Sequence, residues 1–331
     1  MLLSKLFNRR SGARSLGTVA INFRPIDHSY GGMNVFVQQI SRWLENRGYQ
    51  VIYELRRDID IIFIVHPWIT HTEPFSFEEV KRFKQSNPKV NVLLRINECD
   101  KRKKTNHMDE WLAQWESISD HTYFISQWLR DYHAKRWFDL SRPHSSIYNG
   151  ADPRIFHPIG SAPYESDKPL RIVTHHWSDN PMKGYADYEK LDAMIANKVV
   201  TGIEFLVIGR WPEDIKWGAT TTHGPAHGET LANLLRSCHV YLTGSQWEPC
   251  GMHHVEGIQC GLPVVYHRDG GGIVERAQEY GVEYTDDVCS GIQEMKLKYD
   301  EYRHKVLHDP PASGDEMCLR VVDIVQKLRF A

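Results

Sequence analysis

The feature that most constrains this chain is an alternation, sustained almost from end to end, of short apolar runs with helical stripes. Strand-length runs occur at residues 18–23, 50–54, 59–65, 90–96, 121–125 and 145–148. Between them, Val35, Phe36, Ile40, Trp43 and Leu44 form one helical stripe that ends at Arg47-Gly48, and further helices are expected over 77–84, 109–117 and 127–137. Such alternation buries a parallel sheet between helices on both faces. A glycine, proline and charge-rich stretch at 160–169 interrupts the pattern, which then restarts. Runs at 170–175, 203–208, 240–243 and 263–266 alternate with helices over 185–196, 229–237, 252–259 and 287–307. A last stripe carries Val321, Val322, Ile324, Val325 and Leu328. At roughly 150 residues per domain, the 331 residues read as two doubly wound α/β domains, 1–160 and 161–312, with a closing helix at 313–331 that packs back on the first.

Composition narrows the function. Lys+Arg is 40 against 42 for Asp+Glu, so no basic field is present to hold nucleic acid. The mean hydropathy of −0.48 and the lack of any apolar run near the roughly 18 residues of a membrane span predict a soluble chain. Residues 1–15 carry Lys5, Arg9, Arg10 and Arg14 without the apolar stretch of a signal peptide, so they read as a basic tail. The expected location is the cytoplasm, with at most peripheral contact with an anionic membrane. Six scattered cysteines without a C-x-x-C pair suit reduced thiols. Neither His175-His176 nor His253-His254 is spaced for one metal, since neighbouring side chains diverge. Most histidines are expected to be solvated or hydrogen-bonded, and no metal is assigned. Asp58-Ile59-Asp60 spells D-x-D but runs straight into an apolar strand, which favours strand capping over magnesium binding.

The chemistry concentrates in residues 245–257. A strand runs into a loop, Pro249 and Gly251 shape its turn, and a helix begins near Met252. The unpaired N–H groups and positive dipole end of such a helix seat phosphate oxygens. Glu248 precedes that seat and Glu256 lies about one turn inside the helix, a spacing suited to a ligand with a sugar, a diphosphate and a ribose. The first strand is not followed by G-x-G-x-x-G, which weighs against a nicotinamide enzyme.

This segment resembles the E-x7-E motif of family 4 retaining glycosyltransferases, with Glu248 and Glu256 as its carboxylates. The resemblance extends to Gly31-Gly32, Asn149-Gly150-Ala151-Asp152 with Phe156 and Pro158, Met182-Lys183-Gly184, Gly261-Leu262-Pro263-Val264-Val265, and Gly270-Gly271-Gly272 with Glu275. It implies a GT-B fold, two Rossmann-like doubly wound parallel-sheet domains facing across a cleft. It also implies metal-independent, cofactor-free transfer of a hexose, with retention, from a nucleotide diphosphate sugar to a glycan or other hydroxyl acceptor. GDP-mannose is the first expected donor and a UDP-hexose the second. Carried onto this chain, Glu256 would hold the ribose, Glu248 would orient the transferred sugar, and Lys183 would neutralise the diphosphate. Gly251, Met252, His253, Gly31 and Gly32 would cradle that diphosphate, while Gly209, Arg210 and Pro225 would border the base. The family's phosphate-clamp arginine, six residues before the lysine, is replaced here by Trp177, so His176 or Arg210 would have to support the phosphate. His66 would stand beside the reacting carbon, and Arg95, Asn97, Glu98 and Asp100 would face the acceptor. The run Lys101-Arg102-Lys103-Lys104 reads as a solvated loop able to meet an anionic acceptor or membrane. A nucleotide-sugar epimerase and a non-catalytic nucleotide- or glycan-binding module are the alternatives. Acceptor, linkage and oligomeric state are not legible.

Overall fold

A computed structural model describes residues 15–26, 31–67 and 74–330. The basic tail residues Lys5, Arg9, Arg10 and Arg14, and Asp27, His28, Ser29 and Tyr30 of the first loop, lie outside the described residues. The first half holds a six-stranded parallel sheet of β1 (Gly17–Ile21), β2 (Tyr49–Ile52), β3 (Ile61–Ile64), β4 (Asn91–Ile96), β5 (His121–Phe124) and β6 (His144–Ser146), ordered β2-β1-β3-β4-β5-β6. Its helices are α1 (Gly31–Asn46), α2 (Phe77–Ser86), α3 (Asp100–Lys103), α4 (Met108–Glu116) and α5 (Gln127–Ala134). The second half repeats the plan with β7 (Leu170–His176), β8 (Ile203–Gly209), β9 (Thr221–His223), β10 (Val240–Thr243), β11 (Val264–His267) and β12 (Gly281–Tyr284), ordered β12-β11-β10-β7-β8-β9. Its helices are α6 (Tyr185–Ala196), α7 (Gly228–Arg236), α8 (Met252–Gln259), α9 (Val274–Ala277), α10 (Val288–Leu297) and α11 (Tyr299–His308).

In both halves the strand order reverses beside the first strand, which opens a crevice at the carboxyl ends of the strands. The inner strands of both sheets are buried on both faces, and this explains their continuous apolar runs in place of alternation. Helix α12 (Gly314–Phe330) lies against the first sheet. Its Met317, Cys318, Val321, Val322 and Val325 join the first core, and Trp43 Nε1 donates to Asp315 Oδ1 at 3.2 Å.

Several local expectations change. The helix expected over 287–307 breaks at Lys298, so that Tyr299 packs edge-on against Tyr164 while Leu297 points outward. Strand β9 is exposed throughout and shows no apolar signal. Asp60 caps a strand, accepting from the Thr18 amide at 2.7 Å, and Asp58 pairs with Arg56. All six cysteines are free and buried. Among the described residues, no helix is long and apolar enough to cross a membrane.

Candidate active site

A cleft of 740 Å³ lies between the carboxyl ends of the two sheets. Two helix starts face each other across it. Gly31, at φ +59°, opens α1 in a conformation that favours glycine, and a Cβ on Gly32 would stand 3.0 Å from Met252 Cγ at the start of α8. The positive dipole ends of α1 and α8 therefore converge on one volume.

Glu248 lies where the two halves meet. Its Oε2 receives Lys183 Nζ at 2.7 Å from its own half and Arg102 Nη2 at 2.7 Å from the other. Burial alone would raise this carboxyl, but the charges of Arg102 and Lys183 outweigh it and bring it down to about 2. Burial in turn lowers the Lys183 ammonium, with Glu248 opposing. Arg102 also donates through Nη1 to the carbonyls of Met182 and Gln246, each at 2.9 Å.

The expectation of a solvated charge run at 101–104 is met by Lys101, Lys103 and Lys104, which are exposed, and is corrected at Arg102. Arg102 is 4% exposed, the Lys101 ammonium sits over the Trp247 ring, and Lys103 pairs with Glu98 at 3.0 Å. The run forms the short helix α3, which inserts into the loop that carries Glu248. Trp247 in that loop holds φ +53°, a costly value for a side chain of its size, kept in place by its amide donating to Asp269 O at 2.7 Å.

Glu256, about one turn into α8, lines the cleft, and its Oε2 hydrogen-bonds His175 Nε2 at 2.8 Å. The histidines of both pairs are buried rather than solvated, and His176 and His253 approach to 4.9 Å between ring centroids. Burial, reinforced by Lys183, pushes His176 and His253 well below the ordinary imidazole value, and His254 falls to about 3. They are neutral at pH 7, so His176 cannot replace an arginine as a cation. Its Nε2 meets Tyr188 Oη at 2.9 Å, while Nδ1 has no hydrogen-bond partner among the described residues.

Most of the expected site residues do line the cleft: Gly31, Gly32, Lys183, Gly209, Pro225, Glu248, Gly251, Met252, His253, Glu256 and His176, with Arg95, Asn97 and Glu98 on the first-half wall. Three do not. His66 is buried, its backbone pinned by Asn22 and its ring against Phe23. Arg210 turns its guanidinium onto the Trp177 ring, 4.6 Å from the centroid, and so leaves the cleft wall. Asp100 is spent on capping, accepting from Thr105 Oγ1 and the Met108 amide.

The first-half wall has an unusual polar balance. Arg95 is 3% exposed, lies 4.2 Å over the Phe36 ring and donates through Nη2 to Asn149 Oδ1 at 3.0 Å. Among the described residues its Nε and Nη1 meet no carboxylate, only the neutral Tyr123 phenol, and Asn97 Oδ1 and Glu98 Oε2 have no hydrogen-bond partner. Burial raises the Tyr123 phenol and lifts the Cys250 thiol to about 12, so neither is a counter-ion to the guanidinium, and the carboxyl that does act on it, Glu98, forms no ion pair with it and is itself raised by burial. Each unpaired buried donor or acceptor costs about 1–3 kcal/mol. Among the described residues, no group of three or more His, Cys, Asp or Glu is placed to hold a metal ion.

Elsewhere the halves are joined by Asn149 Nδ2 donating to Cys250 O at 2.7 Å and by the Ala151 amide donating to Gln259 Oε1 at 3.0 Å. Glu275 caps α5, accepting from the Gln127 amide at 3.0 Å and from that of Trp128.

Residues 217–285 match the family model described as glycosyl transferases group 1. No curated protein matches the sequence. The structure is similar to that of the Anabaena protein Alr3699/HepE in complex with UDP, at 12% identity and TM-score 0.70, covering 94% of this chain and 100% of the other. It is similar to a sucrose-phosphate synthase from Thermosynechococcus elongatus at 17% identity and TM-score 0.66, covering 94% and 98%. It is also similar to WaaG, a glycosyltransferase involved in lipopolysaccharide biosynthesis, at 11% identity and TM-score 0.67, covering 93% and 99%. The chain therefore has the GT-B fold of these structures, and residues 217–285 of its second half match the model of glycosyl transferases group 1.

Proposed function

We propose that this protein is a glycosyltransferase that moves a hexose from a nucleoside diphosphate sugar to a hydroxyl acceptor, with retention and without a metal. The reading is carried by one observation: Lys183, Glu248, Glu256 and the starts of α8 and α1 line a single cleft. In this reading the diphosphate rests against the first turn of α8, the ribose hydroxyls meet Glu256, and the base lies toward Gly209 and Pro225. UDP-hexoses are the first donors to test, because the Anabaena structures hold UDP and UDP-glucose. GDP-mannose is the second.

Transfer breaks the bond between the anomeric carbon and the leaving phosphate oxygen, and charge grows on that oxygen. Lys183 uses one of its three N–H donors on Glu248, which leaves two for phosphate. With two helix dipoles this is a preorganised cationic seat, the kind of arrangement that stabilises developing charge in place of a metal. Glu248 is assigned to positioning. Its Oε2 already holds two cations, a poor state for a nucleophile, and Oε1 remains to accept a sugar hydroxyl. The acceptor hydroxyl then attacks on the face the diphosphate leaves, and the departing phosphate oxygen takes its proton.

The test is incubation with a panel of UDP- and GDP-hexoses and mixed sugar acceptors in EDTA, with products read by NMR. The proposal expects nucleoside diphosphate release with an anomer of unchanged configuration. Inverted product, a strict metal requirement, or epimer formed without acceptor would overturn it.

A further inference from the structure

We infer that the first-half wall of the cleft is an acceptor subsite for a polyhydroxylated ligand bearing an anionic group, a carboxylate or a phosphate, with Arg95 as counter-ion and Asn97 and Glu98 as hydroxyl acceptors. The inference rests on the donor placement proposed above and adds the class of the second substrate.

The three side chains stand together at and just beyond the carboxyl end of β4, and all three line the cleft. Arg95 enters no ion pair among the described residues: its Nε and Nη1 reach no carboxylate, and the Tyr123 phenol beside them offers a neutral oxygen that leaves the charge unmet. A guanidinium stays protonated in any protein environment, so its charge has to be met by an anion or by ordered solvent. Asn97 Oδ1 and Glu98 Oε2 have the opposite need, being oxygens without donors. Lys103 reaches the other oxygen of Glu98, Oε1, at 3.0 Å. All these atoms are shut off from bulk water in this structure, so a ligand engages them as their side chains turn toward the cleft that they line.

The mixture defines the ligand. A neutral sugar would supply hydroxyl donors to Asn97 and Glu98 and leave the guanidinium uncompensated. A bare anion would satisfy Arg95 and leave both oxygens bare. A sugar or other polyol with one acidic group answers both, and no donor phosphate is needed there, because Lys183 and the helix starts serve the diphosphate.

The test measures binding of glucose, glucuronate and glucose 6-phosphate by saturation-transfer NMR in the presence of saturating UDP. At least one anionic sugar is expected to bind about tenfold or more tighter than glucose, the scale of one charge-assisted hydrogen bond. Comparing carboxylate with phosphate then identifies the anion. Arg95→Met should abolish the preference while UDP affinity stays within about threefold. Arg95→Lys should keep part of the preference, and it carries the test if Arg95→Met does not fold. Equal or absent binding of both anionic sugars, or a preference that survives Arg95→Met, overturns the inference. So does loss of UDP affinity in Arg95→Met, which would assign Arg95 to the donor. Failure of the wild type to bind any nucleotide would instead refute the donor reading, and the anion preference would then be read without UDP.

Discussion

Replacing Arg102 with methionine tests how the two halves share Glu248. The substitution keeps an apolar stem of similar length but removes a 2.7 Å bond to the carboxylate and two 2.9 Å bonds to the Met182 and Gln246 carbonyls. Removing one partner of a buried ion pair typically costs about 3–5 kcal/mol. Here Lys183 stays on the same oxygen, so a smaller loss is expected. The pull on Glu248 from 4.5 to about 2 corresponds to about 3 kcal/mol of linkage, shared between Arg102 and Lys183. Taking Arg102's share as about 2 kcal/mol, and about 1 kcal/mol for the two carbonyl bonds, the expected loss at pH 7 is about 3 kcal/mol.

The pH dependence has a fixed sign. Glu248's folded value is depressed, so its stabilisation is present above the unfolded value and is lost as pH falls toward about 2. In Arg102→Met the folded value rises, and the variant stops losing this stability at a higher pH. The difference between the two proteins should therefore hold steady from pH 7 to about 5, begin to shrink near about pH 4, and approach the carbonyl share only near about pH 2. Urea unfolding across that range measures it. A difference below about 1 kcal/mol at pH 7, or one undiminished at pH 3, would refute the reasoning.

Glu256→Gln should weaken UDP binding about 10- to 100-fold by calorimetry, because an amide replaces the carboxylate beside His175. Gly272→Ala should cost about 3 kcal/mol or prevent folding, since its Cβ would overlap the Pro249 carbonyl and stand 2.6 Å from Ser126 Oγ across the halves. Burial raises the Glu98 carboxyl, so ionising it opposes folding as pH rises above its unfolded value. Glu98→Gln should accordingly raise stability by about 1 kcal/mol at pH 7, with the gain vanishing below about pH 4 in urea melts.

Much of the architecture was legible because parallel strands buried on both faces leave uninterrupted apolar runs, and β10, α6 and α8 fall where those runs and stripes end. The residues flanking α8 were legible for a related reason: glutamates, glycines and a proline around a helix start form a local pattern. Arg102 was not. Its burial depends on a loop 146 residues away, and a run of four cations is indistinguishable from a solvated surface until that loop closes over it. His66 misled in the opposite way. A histidine ending an apolar strand looked poised for chemistry, yet Asn22 turns that backbone inward. Arg210 was placed correctly along the chain, but its stacking on Trp177 could not be read from spacing.

The central claim is that a nucleoside diphosphate rests on the first turn of α8. A crystal structure with UDP bound tests it most directly. The account predicts phosphate oxygens within hydrogen-bond reach of Lys183 and the amides that open α8, with the ribose on Glu256. A diphosphate bound elsewhere, or a ribose out of reach of Glu256, would contradict it.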